Sequence, residues 1–353
     1  MIIKTLQVEN LRNLVTVEIS PDPELNVIHG ANGAGKTSVL ESIVVLSRGR
    51  SFRTTQAGEL IGPTQPVFRV FAETEDNQQN TQRLGLERSG KRWRGRKNGQ
   101  DLLQLSQLTR SLPLVLMEPD SHLLISGPPE IRRKYLDWGM FHVEHGFLEV
   151  WRRYSKALKQ RNAALRKHQV DVLDSLDDVL ATLGSRLSAM RRTHSEKIAE
   201  DILPLLKSLA PELVDIRLEY QDGWSAESYK EALKAGRERD LDRGVTNSGP
   251  HRADLLMFRD RVSARAVLSR GEQKMLAVAL LLTQARILAD LGEPPLILLD
   301  DLASEFDQKH FHSALAHAQH IGGQVWITGT RYPELDGRHK VFHVERGLVQ
   351  EVL

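Results

Sequence analysis

Apolar residues recur at every second position over two short runs at the start of the chain. The first run extends from Ile2 to Leu11 and the second from Leu14 to Ile19, and the stretch Glu9 to Asn13 contains the turn between them. Alternation with a period of two is typical of half-buried strands. The pattern therefore predicts a β-hairpin that leads into a third strand at Leu25 to Ile28.

Further strands are predicted by alternation in one region and by continuous apolar runs in others. Alternating stretches occur at Val67–Glu73, Arg83–Glu87 and Arg92–Arg96, with turns at Ser89-Gly90 and Asn98-Gly99. Apolar runs that indicate buried strands occur at Leu112–Met117, Leu296–Leu299, Val325–Thr328 and Val341–Val344. A further hairpin, turning at Asp260, is predicted within Asp254–Ala266.

The central part of the chain changes to helical periodicity. From Ile131 to Leu209 the pattern is helical, with a break at Glu144 to Gly146. One apolar stripe must pack on a partner helix, and it consists of Val172, Leu176, Val179, Leu183, Leu187 and Met190. We therefore expect an arm of antiparallel helices at 128–243, with a strand at Val214–Tyr220. This arm would be inserted into a discontinuous α/β head formed by 1–127 and 244–353.

Composition narrows the class of protein without identifying it. The 353 residues carry a formal net charge of +2, an apolar content of 40% and no cysteine. These values are ordinary for a globular protein and exclude disulfides and thiolate metal sites. The chain opens without a charged and then apolar leader, and no apolar segment is long enough to span a bilayer. We expect a cytoplasmic protein with no membrane partner.

A glycine-rich segment lies between the third predicted strand and a predicted helix at Lys36 to Leu46. It reads G-x-x-x-x-G-K-T and consists of Gly30, Ala31, Asn32, Gly33, Ala34, Gly35, Lys36 and Thr37. In such a P-loop the backbone N–H groups and the helix N-terminus surround phosphate oxygens, the lysine contacts the β- and γ-phosphates, and the hydroxyl binds Mg²⁺. The segment predicts that the chain binds ATP or GTP.

Two aspartates follow the apolar run Leu296–Leu299. In the Walker B pattern such a strand end places the first aspartate, Asp300, beside the Mg²⁺ that Thr37 binds. Asp301 points to the other side of the pleat or into the next loop, and it is the candidate to orient or polarise attacking water. Asp300 and Asp301, with Lys36, form the predicted catalytic centre.

The segment Leu268–Lys274 supports two interpretations. Ser269 and Glu272 have the spacing of a capping box, which a helix start needs whatever its function. A serine beside a glycine at a helix N-terminus can equally meet a γ-phosphate. The segment resembles the LSGGQ-type signature of ATP-binding-cassette ATPases, and Ser304 to Asp307 resembles their D-loop.

This resemblance implies that two copies of the chain share each nucleotide. The signature residues of one copy would close over the P-loop nucleotide of the other, with Ser269 at the γ-phosphate and the D-loop crossing the same interface. These signature residues are Leu268, Ser269, Arg270, Gly271 and Glu272. ATP would then hold a homodimer together.

Motifs along nearly the whole chain resemble the RecF family of bacterial recombination mediators. They are NLRNL at Asn10–Leu14, GANGAGKTSVLE at Gly30–Glu41, SFRT at Ser51–Thr54, GPPEIRRKYLDWG at Gly127–Gly139, SGPHRADL at Ser248–Leu255, LSRGEQK at Leu268–Lys274 and LLDDLASEFD at Leu298–Asp307. The resemblance implies a P-loop ABC-type ATPase head of the Rad50 and SMC kind, with the helical arm inserted between Walker A and Walker B.

The same resemblance implies a function. It points to a weak, DNA-stimulated ATPase that uses ATP and Mg²⁺, dimerises on ATP and binds single-strand gaps or junctions of double- and single-stranded DNA. RecO and RecR would be its partners in loading RecA. By this resemblance Arg12 and Asn13 lie near the adenine or ribose. The turn Gly249 to Arg252 would lie near the nucleotide-linked interface, although His251 fits a hydrogen-bonded loop residue equally well.

Two basic regions are candidates for DNA contact. Arg92, Arg94 and Arg96 accompany Lys91 and Trp93, and form either a solvated edge that deters strand pairing or a phosphate-facing ribbon with a stacking aromatic. Arg152 and Arg153 belong to the basic first helices of the arm. They form either a solvated helix face or a DNA contact.

Departures from the transporter pattern favour slow hydrolysis and leave two other functions open. No switch histidine follows Val325–Ile327, and no Q-loop glutamine is identifiable around Glu118. One alternative is an ATPase subunit coupled to a permease, which the arm and the missing histidine disfavour. The other is a structural head whose nucleotide is static.

Overall fold

The computed structural model describes residues 1–90, 92–333, 335 and 337–352. Its elements up to the arm are β1 (Ile2–Leu11), β2 (Leu14–Ile19), β3 (Leu25–His29), α1 (Lys36–Arg48), β4 (Val67–Glu75), β5 (Thr81–Ser89), β6 (Arg92–Lys97), β7 (Gln100–Asp101), α2 (Ser106–Ser111) and β8 (Leu114–Met117). The central elements are α3 (Leu123–Ser126), α4 (Pro129–Val143), α5 (Phe147–Arg166), α6 (Leu173–Leu209), β9 (Ile216–Gln221), α7 (Tyr229–Ala235), α8 (Arg237–Arg243), β10 (Asp254–Arg259), β11 (Val262–Ser263) and α9 (Ala264–Val267). The last elements are α10 (Arg270–Asp290), β12 (Leu296–Leu299), α11 (Leu302–Glu305), α12 (Gln308–His320), β13 (Val325–Gly329), β14 (Lys340–Glu345) and β15 (Leu348–Glu351).

The chain forms two compact units. The first contains 1–121 and 281–353, and the second contains 122–280. The segment 244–280 therefore belongs to the same unit as the arm helices, because β10 pairs with β9 over its whole length. The predicted domain boundaries at 127/128 and 243/244 stay a prediction.

The first unit contains two six-stranded sheets. One has the order β2-β1-β4-β5-β6-β7 and the other the order β15-β14-β3-β13-β12-β8. In the second sheet β14, β3, β13, β12 and β8 run parallel, and β8, β12 and β13 are buried along their whole length. Parallel strands covered on both faces require continuous apolar sequence, which is why these runs were recognisable. Since the strands are parallel, their carboxyl ends lie along one edge.

The predicted strands of the first unit are confirmed, and so are its turns. The first hairpin turns at Arg12 and Asn13, and Arg12 takes a positive φ of 57°. Asn98 and Gly99 both have positive φ, as a two-residue hairpin turn with the right twist requires. Helix α1 ends at Arg48 with Gly49 in the left-handed conformation, as a glycine after a helix favours.

The second unit is mainly helical. Helix α6 is 37 residues long and packs against α5 through a core that includes Tyr154, Leu180 and Leu187. A three-stranded antiparallel sheet has the order β11-β10-β9. The predicted hairpin turns at Asp260, but its second strand ends at Ser263 and α9 follows.

The predicted apolar stripe of α6 is only partly correct. Leu183 and Leu187 are buried, but Val172 and Val179 have exposed fractions of 43% and 47%. The buried face instead follows spacings of four and three through Leu173, Asp177, Leu180, Gly184, Leu187 and Arg191. Leu176 and Met190 are partly buried against the core. The predicted stripe therefore overlaps the buried face but is displaced toward solvent at Val172 and Val179, because Asp177 and Arg191 occupy buried positions that an apolar pattern excludes.

Ion pairs explain how these charges are buried. Arg161 of α5 has no exposed side-chain surface and donates to Asp177 from Nε at 2.6 Å and to Asp240 from Nη1 at 2.6 Å. Arg237 of α8 contacts the second oxygen of Asp177 at 2.7 Å. The network therefore joins α5, α6 and α8. Among the described residues no helix is long and apolar enough to cross a membrane.

We expect the substitution Asp240→Asn to lower the free energy of unfolding by about 3 kcal/mol, because removal of one partner leaves a buried charge uncompensated. Urea unfolding followed by circular dichroism measures the change. Glu130→Gln is the matched control, since Glu130 pairs with Lys134 on the exposed face of α4 and such pairs contribute little. Equal midpoints for the two variants would contradict a stabilising role for the buried network.

Candidate nucleotide-binding site

The P-loop joins the end of β3 to the start of α1 through strained glycines. Gly35 has a φ of 120°, and a Cβ there would lie 2.9 Å from Nδ2 of Asn13. At Gly30 a Cβ would lie 2.2 Å from the carbonyl oxygen of Val344. Only glycine fits these backbone conformations and spaces. The loop can therefore bring backbone N–H groups close to a ligand.

The N-terminus of α1 has the electrostatics of an anion site. Its cap, Gly35, supplies no side-chain hydrogen bond, and no acidic residue lies in the first turn. The Nζ of Lys36 is nearly buried and donates to the carbonyl oxygens of Gly30 at 2.9 Å and Ala31 at 3.0 Å. The ammonium therefore lies across the loop, next to the unpaired N–H groups of the helix.

Asp300 lies at the end of β12 and is joined to both neighbouring motifs. Its Oδ1 accepts hydrogen bonds from Oγ1 of Thr37 at 3.0 Å and Oγ1 of Thr328 at 2.7 Å. Oγ1 of Thr328 also accepts the backbone N–H of Asp301 at 2.9 Å. Burial raises the pKa of Asp300, and the two hydroxyl donors oppose that shift. The predicted Walker A and Walker B residues Thr37 and Asp300 are thus in direct contact.

The oxygens of Thr37 and Asp300 suit Mg²⁺. Their 3.0 Å separation matches two adjacent corners of an octahedron, which are about 3.0 Å apart when the bonds are about 2.1 Å. Mg²⁺ usually takes one or two protein ligands and completes its shell with water and phosphate. In keeping with so small a protein ligand set, the described residues contain no cluster of three or more His, Asp or Glu side chains that could hold a metal.

Asp301 takes a left-handed backbone conformation, with a φ of 51°, directly after the strand. It precedes the short helix α11 and its side chain is half-buried. The hydrogen bond of its N–H to Thr328 fixes this turn. Asp301 therefore follows Asp300 directly in the chain, on a turn that this hydrogen bond holds in place. Its role with water stays a prediction.

Arg12 and Asn13 lie beside the P-loop but make different contacts. Nδ2 of Asn13 donates to the carbonyl oxygen of Ala34 at 3.0 Å. Arg12 forms a bidentate pair with Glu41 of α1, at 3.0 Å and 2.9 Å. The contact of either residue with adenine or ribose stays a prediction.

The sequence reasoning missed Glu41 as a structural centre. This carboxylate has no exposed surface, and it binds Arg12, the hydroxyl of Ser51 and Arg53, whose Nη1 lies 3.5 Å away. Glu41 therefore connects the NLRNL segment, the P-loop helix α1 and the SFRT segment. Glu41 stands in the sequence as the last residue of the motif GANGAGKTSVLE, within the mostly apolar segment Val39–Leu46.

Glu118 was also missed, and it is a half-buried acid. It follows β8 directly, at the edge where Asp300 follows β12. Burial raises the pKa of Glu118 to about 7, and the carboxylates of Asp120 and Asp300 add to the shift. The position that the sequence left unassigned thus holds a carboxyl group poised between its two protonation states near neutral pH.

The signature segment lies at the exposed start of α10 in the second unit. The N–H of Ser269 donates to Oε2 of Glu272 at 2.8 Å, and the N–H of Glu272 donates to Oγ of Ser269 at 3.3 Å. The predicted capping box is thus formed. Ser269, Arg270 and Gly271 are exposed while Leu268 is buried.

The D-loop residues have local partners. Oγ of Ser304 donates to the carbonyl oxygen of Asp301 at 2.8 Å. Asp307 caps α12 by accepting the N–H of His310 at 2.9 Å, and its other oxygen contacts Nδ1 of His310 at 2.7 Å. Their contact with a second copy stays a prediction.

The basic strands carry ion pairs. Arg94 and Arg96 both bind Asp101, at 2.8 Å and 2.7 Å. Trp93 packs edge-on against Phe68, and the guanidinium of Arg88 lies 4.5 Å from the indole centre. A base that stacked on Trp93 would compete with Arg88. These contacts weaken the interpretation as a DNA-facing ribbon.

The remaining basic candidates are exposed. Arg92 begins β6, Arg152 and Arg153 lie on α5, and all three are exposed. Arg153 pairs with Glu149 at 3.6 Å along the same helix, an arrangement that contributes little energy. Lys91 lies outside the described residues. The DNA role of each region stays a prediction.

Comparisons with known proteins show which family the chain is similar to. The sequence profile described as "RecF/RecN/SMC N terminal domain" matches residues 2–347. The DNA replication and repair protein RecF of Xanthomonas axonopodis pv. citri (strain 306) is 41% identical over 356 residues, which is 98% of this chain and 97% of the relative. RecF of Stenotrophomonas maltophilia (strain R551-3) is 40% identical over 364 residues and the match covers all of both chains.

Solved structures support the fold. The recombination mediator protein RecF–ATP in the RecFOR pathway superposes with a TM-score of 0.89 and 26% identity, over 100% of this chain and 98% of that one. An Smc head domain from Pyrococcus furiosus gives a TM-score of 0.60 with 15% identity, over 99% of this chain and 96% of that one, which shows a common fold alone. The predicted ABC-type, SMC-like ATPase head is confirmed.

We expect Thr328→Val to reduce the gain in ATP affinity that Mg²⁺ provides by about tenfold or more, because loss of a residue that orients a metal ligand typically costs 10–100-fold. ATP affinity is measured with Mg²⁺ and with EDTA. Thr328→Ser keeps the hydroxyl and should behave like the wild type in both. A valine variant with the full Mg²⁺-dependent gain would show that Thr328 does not position Asp300.

Proposed function

Because the chain belongs to the RecF family, within the proteins that share the RecF/RecN/SMC N-terminal domain, we propose that it is an ATP-dependent DNA-binding protein of recombinational repair and replication restart. It binds single-strand gaps or double-strand/single-strand junctions, and it helps to load RecA together with RecO and RecR. The observation that carries its ATP dependence is the contact of Thr37 with Asp300 beside Lys36. A cytoplasmic location is part of the proposal.

The chemistry follows from the positions of the side chains. Lys36 and the N–H groups of the P-loop bind the phosphates of ATP. Thr37 and Asp300 would hold Mg²⁺, which supplies charge stabilisation at the phosphates when it is bound. Asp301 orients the attacking water, and Thr328 fixes the turn on which Asp301 lies. Without a histidine after β13 this water has one orienting carboxylate, which supports slow hydrolysis.

The exposed start of α10 supports an ATP-dependent homodimer. Ser269 is exposed although it is bonded to Glu272, so an acceptor from outside the chain can reach its hydroxyl and compete with Glu272 for the hydrogen. A Cβ on Gly271 would meet nothing within 4 Å. The fold of the single chain therefore does not require glycine at this position. A triphosphate that approaches from a second copy does require it, because a side chain here would stand in its way.

We expect Ser269→Arg to bind ATP but to remain a monomer, because the long cation occupies the place of the γ-phosphate at the helix start. Light scattering with and without ATP measures the assembly. Ser263→Arg is the matched control, since Ser263 is exposed and makes no side-chain cap, and this variant should dimerise. Lys36→Ala should lose ATP binding itself. ATP-dependent dimers of Ser269→Arg would refute the shared nucleotide.

For DNA contact we expect the arm to matter more than the basic strands. The double reversal Arg152→Glu with Arg153→Glu should weaken binding to junction DNA and lower the slope of log affinity against log salt by about 2, which is roughly 0.9 for each phosphate contact. Arg94→Glu with Arg96→Glu is the comparison, because both arginines already neutralise Asp101. Unchanged binding in both variants would place the DNA elsewhere.

A further inference from the structure

The turn between Gly249 and Ala253 is held by two arginines from different helices. Nη1 of Arg191 on α6 donates to the carbonyl oxygen of Pro250 at 2.7 Å, and Nη1 of Arg133 on α4 donates to that of Ala253 at 2.7 Å. Gly249 has a φ of 133°, and a Cβ there would lie 2.2 Å from the hydroxyl of Tyr229. The backbone of this turn therefore has one accessible arrangement.

His251 anchors the turn to the arm. Its Nδ1 lies 2.7 Å from the hydroxyl of Tyr154 on α5, and its Nε2 lies 2.9 Å from the carbonyl oxygen of Thr246. Burial, together with the charges of Arg252 and Arg133, lowers the pKa of His251 to about 4. The imidazole is therefore neutral at physiological pH. The positive charge at the turn therefore comes from Arg252 and Arg133, and not from His251.

The side chain of Arg252 takes no part in these contacts. It is exposed, and within 1–90, 92–333, 335 and 337–352 no hydrogen bond or ion pair engages its guanidinium. The nearby acids are already used: Asp254 forms a bidentate pair with Arg132 at 2.7 Å and 2.9 Å. Asp137 forms another with Arg191. The charge of Arg252 is therefore uncompensated.

The turn and the signature residues lie at opposite ends of β10. Arg252 precedes β10, whereas Arg259 at the other end of that strand pairs with Glu272 of the signature at 3.1 Å. The six residues of β10, Asp254–Arg259, separate the turn from Arg259, and a strand of that length spans roughly 17 Å. Arg252 therefore does not reach the phosphate that Ser269 would meet. The turn needs a different anionic ligand.

We propose that Arg252, with Arg133 beside it, binds a backbone phosphate of DNA, an inference that rests on the proposed DNA-binding function and assigns a contact to it. A guanidinium presents a rigid fork of donors that matches phosphate oxygens. Because the turn is held before the ligand arrives, little conformational freedom is lost on binding. A phosphate contact of this kind fixes the position of the protein on DNA without reading sequence.

The test compares Arg252→Glu, Arg252→Lys and Arg261→Glu in the full chain. Arg261 is an exposed arginine in the turn at the opposite end of β10, so its reversal changes the net charge equally. The probe is a synthetic duplex with a single-stranded gap, titrated at several salt concentrations. ATP-dependent assembly of each variant is measured by light scattering.

We expect Arg252→Glu to bind the probe about tenfold more weakly than the wild type and to lower the salt slope by about 1. Arg252→Lys should retain the slope, because it retains the charge, and bind several-fold more weakly because the fork is lost. Arg261→Glu should match the wild type. All three variants should assemble with ATP as the wild type does.

Four results would overturn the inference. If Arg252→Glu kept the affinity and the salt slope of the wild type, Arg252 would not contact DNA, although the proposed DNA-binding function would stand. An equal loss in Arg261→Glu would show a general effect of charge. Loss of ATP-dependent assembly in Arg252→Glu would place Arg252 between two copies of the chain. A wild-type protein that does not bind the probe would refute the proposed function and this inference together.

Discussion

The carboxylate of Asp300 is the interaction on which the nucleotide site depends. It receives hydroxyl hydrogen bonds from Thr37 at the start of α1 and from Thr328 in β13. These residues are far apart in sequence, and they meet because β3, β12 and β13 run parallel and end at the same edge. Parallel pairing thus brings the P-loop and the two aspartates together, as strand ends do in open α/β sheets generally.

The parts of this site that the sequence predicted are those with a local signature. The P-loop needs glycine for its conformation, and the strand before Asp300 needs apolar residues on both faces, so each leaves a pattern within ten residues. Thr328 was noticed only as the residue where a histidine was missing. Its bonds to Asp300 and Asp301 depend on the neighbouring strand. Hydrogen bonds between side chains of neighbouring strands cannot be predicted from the sequence of one segment alone.

Buried charges caused the main errors, and they share one physical reason. Glu41 and Asp177 occupy interior positions, although charged residues are assigned to the surface by default. Each is tolerated because of neighbours distant in sequence, as Arg161 and Arg237 are for Asp177. A periodicity that counts only apolar residues therefore placed the stripe of α6 on Val172 and Val179, which are exposed. The helical type and the end at Leu209 were still correct, whereas the break between Arg166 and Leu173, in which Val172 lies, was not predicted.

The capping box of α10 shows why a structural and a functional interpretation need not compete. Oγ of Ser269 accepts the N–H of Glu272, and its hydroxyl also hydrogen-bonds the Glu272 carboxylate, so an incoming phosphate would have to take over this hydroxyl hydrogen. Glu272 is held in turn by the N–H of Ser269 and by Arg259, and these bonds lower the pKa of Glu272. The carboxylate is therefore turned back toward its own cap and toward a cation, which reduces its repulsion of an incoming phosphate. The same bonds that start the helix thus leave its tip able to accept an anion.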